Sequence, residues 1–335
     1  MLNRRRALQG GIAAVGAIST NLTLGSVARS SAPVKIRYNE ALRSILYAPA
    51  YVAIANGFFK EAGIDVTLAI GQGSDKSMAA LLSNSADISL LGPEMAIYVQ
   101  NSESPTKMRI FCGLTATDGY LLVGREKVDK FEWSMLKGKE VRASRDGSTP
   151  LLYFEWALRK NGVDPQDVKF NKNLAVSARV GAWLAGQSDY AIFVEPDATQ
   201  LERDGKAHVL ASVGEAVGMV DYTVFTATDK YIQENPTVIQ NWTNAIYKAQ
   251  KWMATAPTAE VVQVLGQFFP GVSAQVMSSA TERYRKLKIW KTSPLVEEKA
   301  IETFQDILVQ GQVLEPKRRV KYQDIVAAEF AKNAK

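Results

Sequence analysis

The chain has 335 residues, of which 47% are hydrophobic and 22% charged. These values are typical of globular proteins and exclude the disordered and fibrous classes. The length is sufficient for two domains with separate cores. No run of about 18 apolar residues occurs, so we predict no permanent membrane anchor. The net charge is +6, and the only dense basic run after residue 28 is residues 317–319. This argues against nucleic-acid binding, which needs clustered phosphate contacts.

The first 28 residues are predicted to be a signal peptide outside the fold. Residues 4–6 are arginines, a mildly apolar run follows, and residues 26–28 supply the small side chains for cleavage after Ala28. The arginines resemble a twin-arginine export signal, and an ordinary secretory signal is the alternative. Because this segment carries three arginines and no acids, processing lowers the net charge from +6 to +3.

The sequence contains one cysteine, Cys112, within a strand-like run. It cannot form an intramolecular disulfide, and we interpret it as a small buried apolar side chain. No cysteine follows the predicted cleavage site, so no lipid anchor is expected. We therefore predict an exported, freely soluble periplasmic protein.

Strand-like and helix-like segments alternate along the chain, which indicates an α/β fold. In the first half we predict strands at 34–38, 64–70 and 87–91 and helices at 49–61, 74–83 and 93–99. In the second half we predict strands at 139–143, 167–170 and 190–194 and helices at 149–160, 176–185 and from 196 onward. A local match supports this repeat, because residues 82–88 align with residues 184–190 with Leu and Asp at the same spacing. Two similar α/β lobes are the expected result.

A long helical tail follows a further predicted strand at 221–227. Two apolar stripes at helical spacing mark this tail: Ile239, Trp242, Ala245, Ile246, Ala249, Trp252 and Met253, then Ile301, Phe304, Ile307 and Leu308. We interpret both stripes as core packing and not as a ligand site. A return crossing near Asp221 would place the tail on the first lobe.

Several short segments, taken in order, resemble the nitrate/sulfonate/taurine solute-binding proteins of ABC importers and, more widely, thiamine-pyrimidine-binding relatives. These segments are residues 47–53 (YAPAYVA), 56–66 (NGFFKEAGIDV), 71–74 (GQGS), 85–88 (SADI), 138–141 (GKEV) and 235–236 (NP). The resemblance spans essentially the whole chain after the signal peptide.

This resemblance implies the type II periplasmic binding protein fold, in which two α/β lobes joined by two crossing strands close around a ligand. We place lobe I with the C-terminal helices at 29–122 and 223–335, and lobe II at 123–222. The crossings are expected at 120–124 and 222–226. The resemblance also implies a permease and an ATPase as partners, and a monomer.

Ligands of α/β sheets bind beyond the carboxyl ends of the strands, and pockets favour domain interfaces. Arg43 and Ser44 follow the first strand, where a solvated arginine is the alternative to a ligand clamp. Gly73 and Ser74 precede a helix whose free N–H groups favour an anion, and a plain tight turn is the alternative.

The second half repeats this arrangement with Arg145, Ser148 and Thr149, for which helix capping is the alternative to ligand binding. Tyr47, Tyr120 and Tyr222 would supply a flat wall with polar tips. For at least one of these tyrosines, packing in the core or hinge is the alternative role.

Acidic residues occur on the same rims: Asp75, Glu94, Asp118, Glu195 and Asp221. We expect some of them to pair with Arg43 or Arg145 or to cap helices. If Glu94 and Glu195 both face the cleft, they suit an amine, amidine or aminopyrimidine better than a bare oxyanion. The expected ligand is therefore a zwitterion or another small polar organic molecule, such as a sulfonate or taurine-like compound, and its charge is left open.

An enzyme is the less favoured interpretation. The wider fold family includes a thiamine-pyrimidine synthase with a cysteine-rich motif and an internal histidine, whereas this chain has one histidine, His208, in a strand-like stretch. The sequence has no Cys/His cluster with metal-ligand spacing and no Gly-x-Ser-x-Gly elbow. We predict a binding protein without catalytic residues, metal or cofactor. A periplasmic sensor that reports to a separate membrane kinase is the other alternative.

Overall fold

The computed structural model describes residues 32–172 and 174–335. The predicted signal peptide lies outside these residues. The chain from Pro33 to Lys335 forms one compact unit. Within the described ranges, every helix is too short or too polar to cross a bilayer.

The strands of the described chain form two five-stranded sheets. They are β1 (Val34–Glu40), β2 (Ile64–Ile70), β3 (Ile88–Leu91), β4 (Met108–Thr115), β5 (Leu121–Gly124), β6 (Glu140–Arg142), β7 (Lys169–Asn171), β8 (Tyr190–Phe193), β9 (His208–Ser212) and β10 (Thr223–Thr228).

Helices connect these strands and build the C-terminal tail. They are α1 (Ala48–Ala55), α2 (Phe58–Glu61), α3 (Ser74–Leu82), α4 (Glu94–Gln100), α5 (Thr149–Lys160), α6 (Arg179–Leu184), α7 (Asp197–Arg203), α8 (Val213–Val217), α9 (Asp229–Glu234), α10 (Pro236–Thr255), α11 (Thr258–Gly266), α12 (Ala274–Lys286), α13 (Glu298–Gln310), α14 (Tyr322–Ile325) and α15 (Ala328–Lys332).

The two sheets have matching topologies, β2-β1-β3-β10-β4 and β7-β6-β8-β5-β9. In each sheet three neighbouring strands run parallel, and the next strand is antiparallel to both of its neighbours. The antiparallel strand of the first sheet, β10, follows the whole second sheet in the chain. The two sheets with their helices confirm the predicted fold of two α/β lobes. We call them lobe I (first sheet) and lobe II (second sheet).

The short sequence repeat corresponds to the same structural device in both lobes. Asp87 accepts a hydrogen bond at Oδ2 from the backbone N–H of Arg37 in β1 at 2.8 Å, and its own N–H donates to the carbonyl of Arg37. Asp189 makes the same two bonds to Glu140 in β6, with Oδ2 at 2.9 Å from the backbone nitrogen. Asp87 therefore clamps β1 to β3 in lobe I, and Asp189 clamps β6 to β8 in lobe II.

The strands predicted at the crossings are β5, which belongs to the second sheet, and β10, which belongs to the first. The chain passes between the lobes just before each strand, through residues 116–120 and 218–222, which we call the crossover segments. These segments lie side by side, because the hydroxyl of Thr117 donates to the carbonyl of Gly218 at 2.6 Å. The lobe boundaries given above stay a prediction.

The tail packs on lobe I through the predicted aromatic stripe of α10. The ring of Trp242 lies 5.3 Å from Tyr38, 4.3 Å from Phe59 and 5.5 Å from Phe225, all measured between centroids. The predicted helix at 49–61 is broken into α1 and α2 at Gly57, where φ is +75°, a left-handed conformation that favours glycine.

The tail also contacts lobe II. The ring of Phe304 in α13 lies 5.7 Å from Tyr153 in α5. The guanidinium of Arg203 in α7 donates to Gln275 in α12 at 2.8 Å. The two lobes are therefore bridged by the tail as well as by the crossover segments.

Candidate functional site

A cavity of about 440 Å³ lies between the lobes, beyond the carboxyl ends of β1, β2 and β3 in lobe I and of β6 in lobe II. Segments from both lobes and both crossovers line it. This is the position where parallel sheets and domain interfaces place ligands. The volume is within the range of small-molecule sites. We call this cavity the cleft.

Eight of the residues predicted for the site line the cleft: Tyr47, Gly73, Ser74, Tyr120, Arg145, Ser148, Thr149 and Tyr222. The other six do not line it: Arg43, Ser44, Glu94, Asp118, Glu195 and Asp221. The structure therefore brings together the loop residues of both lobes and the tyrosines, and it places most of the acids elsewhere.

The three tyrosines form much of the wall. Tyr47, Tyr120 and Tyr222 are each no more than 4% exposed. Burial raises the pKa of Tyr47 and Tyr222 well above the ordinary value, so both hydroxyls stay neutral hydrogen-bonding groups. The wall thus offers apolar ring area with uncharged polar tips.

The turn before α3 does not offer the free anion site that its glycines suggest. Asp75 occupies the first turn of α3 and pairs with Arg145 of lobe II, with distances of 2.9 Å (NH1–Oδ2) and 2.5 Å (NH2–Oδ1). This hydrogen-bonded pairing holds the pKa of Asp75 below its ordinary value. Gly73 has a φ of +137°, which favours glycine, and a Cβ there would lie 2.5 Å from the Arg145 guanidinium and displace the ion pair.

Glu94 lies directly behind the cleft wall and also joins the lobes. It is fully buried at the start of α4, and its carboxylate accepts hydrogen bonds from the hydroxyl and the backbone N–H of Thr149 in α5. Burial raises its pKa to about 7, with the bonds to Thr149 opposing the shift. At neutral pH this carboxyl is therefore poised between its protonated and charged forms.

The remaining predicted residues each have an internal partner, although the buried Oδ2 of Asp118 makes no hydrogen bond among the described residues. Arg43 pairs with Glu40 at 2.7 Å, three residues earlier, and Ser44 donates to the carbonyl of Glu195 at 2.6 Å. Asp118 accepts from the backbone N–H of Tyr120 at 2.6 Å.

The two other acids form ion pairs with the tail. Glu195 pairs with Arg283 at 2.8 Å, and Asp221 pairs with Lys291 at 2.5 Å. The idea of a cationic ligand held between Glu94 and Glu195 is corrected accordingly, because neither residue lines the cleft and Glu195 already has a cationic partner.

Arg179, at the start of α6, is the important cleft residue that sequence reasoning missed. It lines the cleft and is only 7% exposed. Among the described residues, its one side-chain hydrogen bond is from NH1 to the hydroxyl of Tyr120, at 3.5 Å, and no carboxylate lies within 4.0 Å. The sequence did offer one indication of its burial. Arg179 precedes Trp183 by four residues, which places both on one face of the helix, and Trp183 is fully buried.

Arg142 is a second buried arginine close to Arg179. Burial lowers the pKa of Arg142, the carboxylate of Glu140 opposes that shift, and the charge of Arg179 adds to it. Arg142 is held by Asn171 and Gln187, at 3.3 and 3.0 Å, which are both uncharged. Since burying an unpaired charge is costly, this side of the cleft is complementary to an anionic group.

The described residues contain no group of three or more His, Cys, Asp or Glu side chains placed to hold a metal ion. Cys112 is buried in β4, and burial raises its pKa far above the usual range. His208 begins β9.

Comparison with known proteins identifies the family. The profile of the NMT1/THI5-like family matches residues 45–260. A Bacillus subtilis (strain 168) protein, provisionally named binding protein YtlA, is 36% identical over 327 residues, which cover 97% of each chain.

Solved structures show the same fold. The alkanesulfonate-binding protein SsuA from Xanthomonas axonopodis pv. citri, bound to MOPS, has a TM-score of 0.70 and 19% identity over 89% of this chain and 99% of that one. The periplasmic nitrate-binding protein NrtA from Synechocystis PCC 6803 has a TM-score of 0.74 and 14% identity over 90% of this chain and 88% of that one. The chain thus belongs to the NMT1/THI5-like family and has the fold of periplasmic solute-binding proteins.

Proposed function

We propose that the protein is the substrate-binding component of an ABC importer. It captures a small polar organic solute that carries an anionic group, such as a sulfonate, a taurine-like compound or a related molecule, and delivers it to a membrane permease driven by an ATPase. The observation that carries this proposal is Arg179, a buried guanidinium on the cleft wall without a carboxylate partner. A ligand anion would complete its pairing.

The tyrosine wall supports an organic body for this solute. Tyr47, Tyr120 and Tyr222 offer more ring area than a bare inorganic anion needs. A compound of this kind places its charged group at Arg179 and its carbon skeleton against the rings. Nitrate and sulfate, which have no such skeleton, are expected to bind weakly.

The contacts that cross the cleft support closure around the solute. Asp75 with Arg145, Glu94 with Thr149, and Tyr98 with the carbonyl of Gly147 each join lobe I to lobe II. A ligand that touches both lobes favours the closed form by its difference in affinity for the two forms. The closed form is then the one a permease recognises.

The protein works, on this proposal, as an exported monomer in the periplasm. Residues 1–28 supply the export signal and are then removed. The solute leaves the cleft chemically unchanged, because the protein binds and does not catalyse.

The test is a thermal unfolding screen of the purified protein against sulfonates, taurine, carboxylates, nitrate, sulfate and neutral analogues. A specific ligand at a hundredfold excess over Kd stabilises by about 2.7 kcal/mol, which moves the unfolding midpoint by several degrees. Mass spectrometry of the bound fraction then checks that the compound is recovered intact.

The decisive comparison uses Arg179→Gln with Arg159→Gln as a matched control. Arg159 is also in lobe II and partly buried, but it pairs with Glu155 away from the cleft. Arg179→Gln is expected to abolish the shift produced by anionic solutes, and Arg159→Gln to preserve it. Stabilisation by neutral or cationic compounds alone, or equal shifts in both variants, would contradict the proposal.

A further inference from the structure

A second cavity, of about 570 Å³, shares no lining residue with the cleft. Its walls come from α10, from the end of α12 and the segment after it, and from both crossover segments. Six of its lining residues define it for the argument: Ala116, Met219, Met253, Tyr284, Lys288 and Trp290. We call it the hinge cavity.

Much of the hinge cavity wall is apolar. Met253 and Tyr284 are buried, and Trp290 is partly buried with its indole N–H donating to the carbonyl of Leu46 at 3.0 Å. Met219 stands at the opening with 64% of its surface exposed, which is the largest exposure among the large hydrophobic side chains of the described chain. Flexible methionines suit binding surfaces that adapt to a ligand.

The charged lining of the hinge cavity is predominantly positive. Arg285, Lys288 and Lys291 line it, against one carboxylate, Glu297. Arg285 donates to the carbonyls of Met253 and Ala256, so its charge has no acidic partner there. Lys291 is paired with Asp221, as described above. In the described part of the chain, the Lys288 ammonium makes neither an ion pair nor a hydrogen bond.

The backbone at Lys288 adds a second argument. Lys288 directly follows the residue that caps α12, and its φ is +53°. Glycine is the usual residue at this position because a side chain is strained in the left-handed conformation. A lysine here accepts that strain and lines the cavity, which favours a role for the side chain in binding.

The hinge cavity lies against the segments that must move when the lobes open. Ala116 belongs to the first crossover segment and Met219 to the second. The hydroxyl of Tyr284 donates to the carbonyl of Gly119 and accepts from the N–H of Glu195, both at 2.8 Å. An occupant would therefore contact a hydrogen-bonded junction between the first crossover segment, lobe II and the tail.

We propose that the hinge cavity is a second ligand site, which takes a small organic anion with an apolar body. The anionic group binds at Lys288, and the body packs against Met219, Met253 and Trp290. Because both crossover segments contribute to the wall, the site has different shapes in the open and closed forms. Its occupant then changes the affinity of the cleft for its own solute, and the cleft ligand changes the affinity of the hinge cavity by the same factor.

The probe for this site is 4-bromobenzoate, which has a carboxylate, an aromatic body and a bromine that can be located by anomalous diffraction. We expect a bromine peak in the hinge cavity of soaked crystals. Binding in solution is measured by calorimetry with the full-length protein and with Arg179→Gln, which removes the unpaired cation of the cleft. Binding that persists in Arg179→Gln belongs to the hinge cavity.

The key variant is Lys288→Gly, which relaxes the backbone while removing the charge. We expect it to fold with an unchanged or higher Tm and to weaken probe binding about tenfold. Lys288→Arg should retain binding. Lys286→Ala is the matched control, because it removes an exposed lysine at the end of α12, two residues before Lys288, and should leave binding unchanged.

Four results would overturn the proposal. These are a bromine peak only in the cleft, no bromine peak at all, equal probe affinity in Lys288→Gly and the unaltered protein, and equal affinity for the neutral 4-bromobenzamide. Equal affinity for inorganic sulfate would overturn the part of the proposal that assigns the apolar wall to an organic body.

Discussion

Arg145 and Asp75 form a two-pronged ion pair across the cleft, with the guanidinium on lobe II and the carboxylate at the start of α3 on lobe I. The pair therefore joins the two lobes in this structure. Each side chain is 45% exposed, so water screens the interaction and its contribution to closure is small. In the proposed transport function, this pair adjusts the equilibrium between open and closed forms and does not determine the fold.

We predict that Asp75→Asn weakens solute binding about two- to fivefold and leaves the Tm of the ligand-free protein unchanged within about 1 °C. Calorimetry with the solute identified by the screen measures the affinity. Asp167→Asn is the control, because Asp167 pairs with Lys137 inside lobe II at similar exposure. An equal loss of affinity in both variants would show that the effect does not come from closure.

Arg179→Leu is expected to make the ligand-free protein more stable. The arginine is a buried charge without an acidic partner, and replacing such a group with an apolar side chain removes its desolvation penalty. Calorimetry should show a Tm about 2–4 °C higher, together with loss of anion binding. The control Arg159→Leu breaks an ion pair instead and should not raise the Tm. A lower Tm for Arg179→Leu would mean that the guanidinium is already well satisfied.

Glu94 should make folding stability depend on pH. Its pKa is about 7 in the folded protein against an ordinary 4.5, so the folded state retains a proton that the unfolded chain has released. The contribution of protonated Glu94 to the free energy of unfolding is complete below about pH 4.5 and is lost as the pH rises through about 7. The loss amounts to about 3 kcal/mol.

Urea unfolding at pH 4.5 and pH 8 tests this dependence in the unaltered protein and in Glu94→Gln. The variant is expected to lose less free energy of unfolding between the two pH values, by about 3 kcal/mol. Burial also raises the pKa of Asp118, to about 8, and this contribution is common to both proteins. Identical pH profiles would show that Glu94 is ionised at a normal pKa in the folded protein.

Tyr284→Phe should destabilise the junction between the crossover segment and lobe II. The change leaves the carbonyl of Gly119 and the N–H of Glu195 without the buried hydroxyl that serves both. We expect a loss of about 2–4 kcal/mol in the free energy of unfolding, measured with urea. Tyr247→Phe is the control because its hydroxyl makes no hydrogen bond within the described ranges, and it should cost under about 0.5 kcal/mol.

Local signals predicted much of the fold. The bounds of β2 and α5 agree with the prediction at both ends, because apolar alternation defines the strand and a Thr-Pro start defines the helix. The repeat was detectable because Asp87 and Asp189 make the same hydrogen bonds to the backbone of a neighbouring strand. This shared role fits their equal spacing from the preceding leucine. The break at Gly57 was less visible, since apolar residues continue across it.

The partners of charged groups were much harder to predict. Glu195 pairs with Arg283, 88 residues later, and Asp221 pairs with Lys291, 70 residues later. Such pairs form only when the tail packs on the lobes. The position of Glu195 and Asp221 in loops therefore could not show that they lie outside the site. Arg43 is the exception, because Glu40 precedes it by three residues and that spacing already suggests a local pair. Arg179 was missed because it lies within a predicted helix, whereas the site residues were sought in loops at the ends of strands.

The central position of β10 in the first sheet has a consequence for the order of folding. Every strand of the second sheet lies between residues 121 and 212, so that sheet is complete as soon as this continuous stretch of chain exists. The first sheet cannot join β3 to β4 until residues 223–228 arrive, although it begins at residue 34. A chain that emerges from its N-terminus therefore finishes its second lobe before its first. Until then, the hydrogen-bonding edges of β3 and β4 that await β10 are open to mispairing.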